Sequence, residues 1–156
     1  MRISLLILAF TCSLVIASDL GNPVSSDIQE ELNAIGAELE KAALSNDYKS
    51  ILKHYSDDVI VMADFQEPIR SKKSLKAIYE KEAQRMLRYH SISGTAEKRW
   101  EVNGYIYEYG SFGMTVSSRD EKKPSGYFGS YFQIWERSDS TYKLKYIIWN
   151  LDHYPN

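Results

Sequence analysis

Gly129-Ser130-Tyr131-Phe132-Gln133-Ile134-Trp135-Glu136-Arg137, a turn over Ser138 to Thr141, and the run from Tyr142 to Asp152 decide the fold. Fourteen of the chain's 20 aromatic residues lie between Trp100 and Tyr154. They are interleaved with Gly, Thr and Val, the texture of half-buried strands. Within this half, Asn103-Gly104 predicts a tight hairpin turn. Arg119 to Ser125, with Pro124, reads as a solvated loop. From Ile92 onward the chain is therefore a succession of long strands.

The first half reads differently. Ser26-Asp27-Ile28-Gln29 has the form of a capping box, and Ile28, Leu32, Ile35 and Leu39 then recur at helical spacing. Ser45-Asn46-Asp47 ends that helix and caps a short second one, with Tyr48, Ile51, Leu52 and Tyr55 on its buried side. Ser56-Asp57-Asp58 reads as a turn and Val59 to Ala63 as a strand. Ser71 caps a third helix whose apolar stripe is Leu75, Ile78, Tyr79, Ala83, Met86 and Leu87. Three helices with one early strand, then a run of strands, define an α+β domain: a curved antiparallel sheet covered on one face by helices.

The chain has 156 residues, 44% hydrophobic and 26% charged, enough apolar surface for one folded domain and too much for wholesale disorder. Its formal net charge of −2 argues against a protein held to nucleic acid by phosphate contacts. Met1-Arg2, an apolar run from Ile3 to Ile16 and the small-residue exit at Ala17 have the three parts of a secretory signal peptide. That run is shorter than the ~20 residues a spanning helix needs. The expected organisation is a signal peptide over 1–17, a linker over 18–26, a domain over 27–152 and a tail over 153–156. Cleavage removes Cys12, the only cysteine, so the exported chain carries no thiol or disulfide. The expectation is a secreted protein, free of the membrane once cleaved, that takes no cofactor.

Asn46-Asp47, Leu52 to Tyr55, Ser56-Asp57-Asp58 and Val59-Ile60-Val61 resemble the opening of the cone-shaped fold of nuclear transport factor 2, ketosteroid isomerase and the SnoaL-like polyketide cyclases. Ile106-Tyr107-Glu108-Tyr109-Gly110, Gly129 to Arg137 and Trp149-Asn150-Leu151-Asp152 resemble the domain-of-unknown-function family numbered 4440. The resemblance covers residues 27 to 152. It implies a pocket between sheet and helices, and a homodimer formed through the exposed sheet face. One fold hosts many activities, so it implies no single function. By the same resemblance the isomerase base falls near Met62 or Ala63 and its donor tyrosine at Leu39, so both positions lack the required chemistry. Two further departures from the narrower family are Ile147, where an acid is usual, and Ser71-Lys72, where a glycine is usual.

The candidate catalytic carboxylates are Asp64, just past the early strand, and Glu108, mid-strand between two tyrosines. Either would serve as a general base if an apolar pocket held it ready. The bland reading of Asp64 is a turn cap. For Glu108, period-two alternation leaves inward and outward orientations open. The candidate pocket residues are Tyr55, Met62, Tyr79, Tyr131, Trp149 and Asn150, the last offering a donor and an acceptor together. His54, His90 and His153 lack metal-ligand spacing, so no metal is expected, and His54 reads as a helix-end histidine satisfied by carbonyls. The Glu97-Lys98-Arg99 run reads as solvated surface.

These features support three functions: an exported protein that binds a small, mostly apolar molecule; a cofactor-free isomerase, lyase or cyclase built on a pocket carboxylate; and a non-catalytic interaction module. The vacant isomerase positions tilt the balance toward binding.

Overall fold

The computed structural model describes residues 21–64, 66–85, 88–117 and 123–152. The expected signal peptide, the C-terminal tail with His153, and most of the loop after Ser117 lie outside the described residues, as do the side chains of Ala83, Met86 and Leu87. The elements run β1 (Asn22–Pro23), α1 (Ser26–Leu44), α2 (Tyr48–Lys53), β2 (Tyr55–Met62), α3 (Lys72–Arg85), β3 (Arg88–Val102), β4 (Tyr105–Ser117), β5 (Ser125–Ser138) and β6 (Thr141–Leu151). Three helices and one curved sheet of order β1-β3-β4-β5-β6-β2 give the expected α+β architecture. Among the described residues no helix is long and apolar enough to cross a membrane.

Local chemistry explains most boundaries. Ser25, not Ser26, caps α1, its side chain accepting the Ile28 N–H at 3.5 Å. The capping box is therefore not formed, and Gln29 is free for another partner. Asn46, at φ 55°, ends the helix in the left-handed conformation that Asn tolerates. Asp47 then caps α2 by accepting the Ser50 N–H at 3.2 Å, and that bond holds its carboxyl below the usual carboxylate range. The β3–β4 hairpin turns on Asn103 and Gly104, both at positive φ, as a two-residue loop with the hand of the strands requires.

Three features depart from the reading of the sequence. Tyr55 opens β2 rather than closing α2, and Asp57 and Asp58 lie in that strand beside a register shift between Tyr55 and Ile60. Asn22 and Pro23, read as linker, pair with Glu101 and Trp100 of β3. The sheet is antiparallel from β1 to β6, but β2 joins β6 in parallel at the edge. Periodicity reports which face a side chain takes and is silent on strand direction.

The core lies between the helices and one face of the sheet. Leu32 and Ile35 of α1, Leu52 of α2 and Leu75 of α3 bury against Val59, Ile106, Trp135 and Leu144. Each fully buried side chain of this kind stabilises the fold by about 1.5–3 kcal/mol relative to exposure. Strand β3 carries two bulges, with His90 and Glu97 as the extra residues opposite β4. Beyond Trp100 and Glu101, no described strand pairs with its outer edge.

Candidate functional site

The site is set by strand register. Ile106, Glu108, Gly110 and Phe112 alternate on one face of β4, and their β5 partners Trp135, Gln133, Tyr131 and Gly129 share it. Ile106 and Trp135 belong to the core beneath the helices, so this is the helix-covered, concave face. Glu108 is 2% exposed. It faces inward, which alternation alone had left open.

A carboxylate buried this deeply must be satisfied, and this one is. Glu108 Oε1 accepts the Tyr131 hydroxyl at 2.7 Å and Gln133 Nε2 at 2.6 Å. Its Oε2 accepts Arg99 Nε at 2.5 Å and Trp135 Nε1 at 3.3 Å. Four donors occupy the roughly four lone-pair positions of an ionised carboxylate. Burial, and then the neighbouring negative charge of Glu108, push the Tyr131 phenol far above its ordinary value. Tyr131 therefore acts here as a donor.

Arg99 carries the network to α1. Its side chain is only 7% exposed. Nη1 donates to Gln29 Oε1 at 2.8 Å, Asn33 Oδ1 at 2.7 Å and the Gln29 carbonyl at 3.3 Å. The expectation of a solvated Glu97-Lys98-Arg99 run is corrected for Arg99. Beside it, an open polar cleft of about 370 Å³ is bordered by Gln29, Asn33 and residues 94–99. Gly110 makes the approach possible: a Cβ there would collide with the Thr95 carbonyl and stand 2.8 Å from the Tyr131 hydroxyl.

Further along the same face the lining becomes aromatic. Phe112 meets Trp149 edge to face, with centroids 6.0 Å apart, and both rings are half-buried. Trp149 pairs across with Tyr131, so the two rings and the hydroxyl share the concave face. Of the other sequence candidates, Tyr55 is buried, its phenol raised by burial and hydrogen-bonded with Tyr79. Tyr79 in turn stacks on Tyr48 at 4.9 Å. Both tyrosines stand among the helix contacts of the core. Met62 and Asn150 are corrected. Met62 pairs with the exposed Ile148, and Asn150, two residues further on, is itself exposed, so alternation puts both on the opposite, convex face. Asp64 accepts the Leu151 N–H at 3.2 Å, fastening the end of β2 to the end of β6. His54 Nε2 lies 3.1 Å from Glu38 Oε2, a carboxylate partner in place of the expected carbonyls. Among the described residues no three His, Cys, Asp or Glu stand together as metal ligands.

Sequence reasoning missed Arg99, Gln29, Asn33, Gln133 and Trp135. Parity is a signal for two of them, since Gln133 and Trp135 follow Tyr131 at strand spacing, whereas Arg99, Gln29 and Asn33 carry no local mark.

No protein-family model matches the chain, and no curated protein matches it. Solved structures do. A conserved protein from Planctomyces limnophilus superposes with TM-score 0.71 at 18% identity, over 82% of this chain and 97% of that one. A ketosteroid isomerase-like protein from Erwinia carotovora gives 0.70 at 9% identity, over 84% and 100%. An NTF2-like protein from Cytophaga hutchinsonii gives 0.64 at 12% identity, over 79% and 97%. The fold is thus NTF2-like, of the kind that ketosteroid isomerase-like proteins have, as the sequence resemblance implied. The narrower family numbered 4440 gains no support from these matches.

Proposed function

We propose that this chain is exported after loss of residues 1–17 and binds a small, mostly apolar molecule on the concave face without transforming it. The observation that carries the reading is the state of Glu108. A general base needs a free lone pair within reach of a substrate proton, and four donors already occupy this carboxylate. Asp64, the other candidate, is engaged with the Leu151 N–H. What remains on the concave face is the half-buried aromatic pair Phe112 and Trp149 beside the polar cluster of Glu108 and Tyr131, the mix of apolar surface and a few polar groups that small-molecule sites use. Export rests on the signal-like residues 1–17.

A homodimer formed through the convex face belongs to the same proposal. There Trp100 stacks on Tyr107 at 5.6 Å, with Tyr109 and Phe132 at 6.3 and 6.2 Å. Tyr105, Tyr109, Ile148 and Phe128 stand exposed on the sheet, Phe128 by 60%. An apolar patch of this kind usually marks an interface.

The test is titration with N-phenyl-1-naphthylamine, a neutral apolar fluorophore. Saturable enhancement at one site per chain, weakened about tenfold in a folded Phe112→Ala/Trp149→Ala variant, is expected. Enhancement indifferent to those two rings would overturn the concave site. Turnover of any bound compound that Glu108→Gln or Asp64→Asn abolishes would replace binding with catalysis.

A further inference from the structure

A second cleft, of about 450 Å³, opens away from the concave face, where α2, the start of β2 and the first turn of α3 meet. It is bordered by Lys49, Leu52, Asp57, Lys72, Lys73 and Lys76. Four lysines and one aspartate border it, in a chain whose net charge is −2. Their local neutralisation is thin. Lys72 reaches Asp57 at 3.4 Å and Lys76 reaches Glu80 at 3.3 Å, and Asp57 and Glu80 are both largely exposed. Such pairs contribute little in water. Lys49 and Lys73 have no ion pair among the described residues.

The placement of these lysines also opposes local electrostatics. The first turn of α3 has no acidic residue, and Lys72 and Lys73 sit at the end where the helix dipole is positive. Cations there are disfavoured unless an anion joins them. Below the ammonium groups the lining is hydrocarbon: Leu52, buried in the core, and the methylene stems of the lysines. The cleft thus combines a positive rim with an apolar floor.

We infer that the cleft between α2 and α3 binds an amphiphilic organic anion, its phosphate or carboxylate head among Lys49, Lys72, Lys73 and Lys76 and its apolar body against Leu52. The charge attracts the head and raises its local concentration. The volume suits a whole small molecule.

Octyl phosphate, kept below its micelle concentration, is the probe, titrated into the purified protein by calorimetry. One site per chain is expected, at least tenfold tighter than inorganic phosphate or octanol and weakened by added salt. A Lys49→Gln/Lys73→Gln variant should lose about tenfold in affinity with an unchanged melting temperature. Phe112→Ala/Trp149→Ala should bind as the parent does, separating this site from the concave one. Equal binding by the lysine variant, by inorganic phosphate or by octanol would overturn the inference. So would loss of binding in the aromatic variant, or binding to phosphatidic acid vesicles without binding of the monomeric probe.

Discussion

At the scale of single residues, two glycines make opposite predictions. A Cβ on Gly36, within α1, meets nothing within 4 Å. Gly36→Ala should therefore stabilise the protein by about 0.5–1 kcal/mol through helix propensity alone. Gly110→Ala should destabilise it by about 1–3 kcal/mol, because the new methyl displaces Thr95 or the Tyr131 hydroxyl. Urea denaturation of both variants decides the pair. Glu108 is the other sensitive position. Glu108→Leu leaves the Arg99 guanidinium buried without its counter-charge and should cost about 3–5 kcal/mol. Replacing both partners, as Glu108→Leu/Arg99→Met, should cost less than Glu108→Leu alone, since no orphaned charge remains. A double variant worse than either single one would show that the remaining donors, more than the ion pair, need the carboxylate. None of this was legible in a list of charged residues: Arg99 lies in a Glu-Lys-Arg run, and nothing local marks its side chain as the one that turns inward.

Among the elements, α2 is joined to α1 through His54 and Glu38. Burial disfavours the His54 imidazolium, and although Glu38 works the other way its pKa ends below the usual value, with Lys53 and Lys143 adding to the depression. Below about pH 6.5 the unfolded chain then binds more protons at this position than the folded one. Its contribution to stability should rise with pH through that window and level off above it. A smaller fall in urea midpoint between about pH 7 and about pH 5 in His54→Gln than in the parent is the expected result. The helices themselves were readable from periodicity and caps, as were the hairpins from Asn103-Gly104 and the turn at Asp139. The short β1 strand and the parallel seat of β2 were not. Each depends on a distant partner, Trp100 in one case and Ile147 in the other, that no local signal names.

For the whole molecule, the sheet offers two unlike faces, one under the helices and one left bare by the described residues. If the bare face joins two copies, Phe128→Asp/Tyr109→Asp should shift the protein from dimer to monomer in sedimentation equilibrium while its circular dichroism stays unchanged. A dimer that survives both charges lies elsewhere. The overall architecture followed from the order of helical and strand texture along the chain. The concave site was only partly readable. Glu108, Tyr131 and Trp149 do stand on one face, but Met62 and Asn150 were placed there without knowing the phase of their strands. Phase is set by bulges, and bulges leave little trace in composition.

The bulge at Glu97 shows how much hangs on a single inserted residue. Counted back from the Asn103-Gly104 turn, Val102 to Lys98 pair in unbroken order with Tyr105 to Tyr109, which brings Arg99 opposite Glu108. Glu97 is then the extra residue, and Ala96 takes the place opposite Gly110. Without that step the frame beyond Lys98 would slip by one, bringing Glu97 opposite Gly110 on the concave face. A second carboxylate would then stand on the face of the buried one, and like charges so placed disfavour ionisation. One extra residue thus puts a small side chain where a rival acid would otherwise sit.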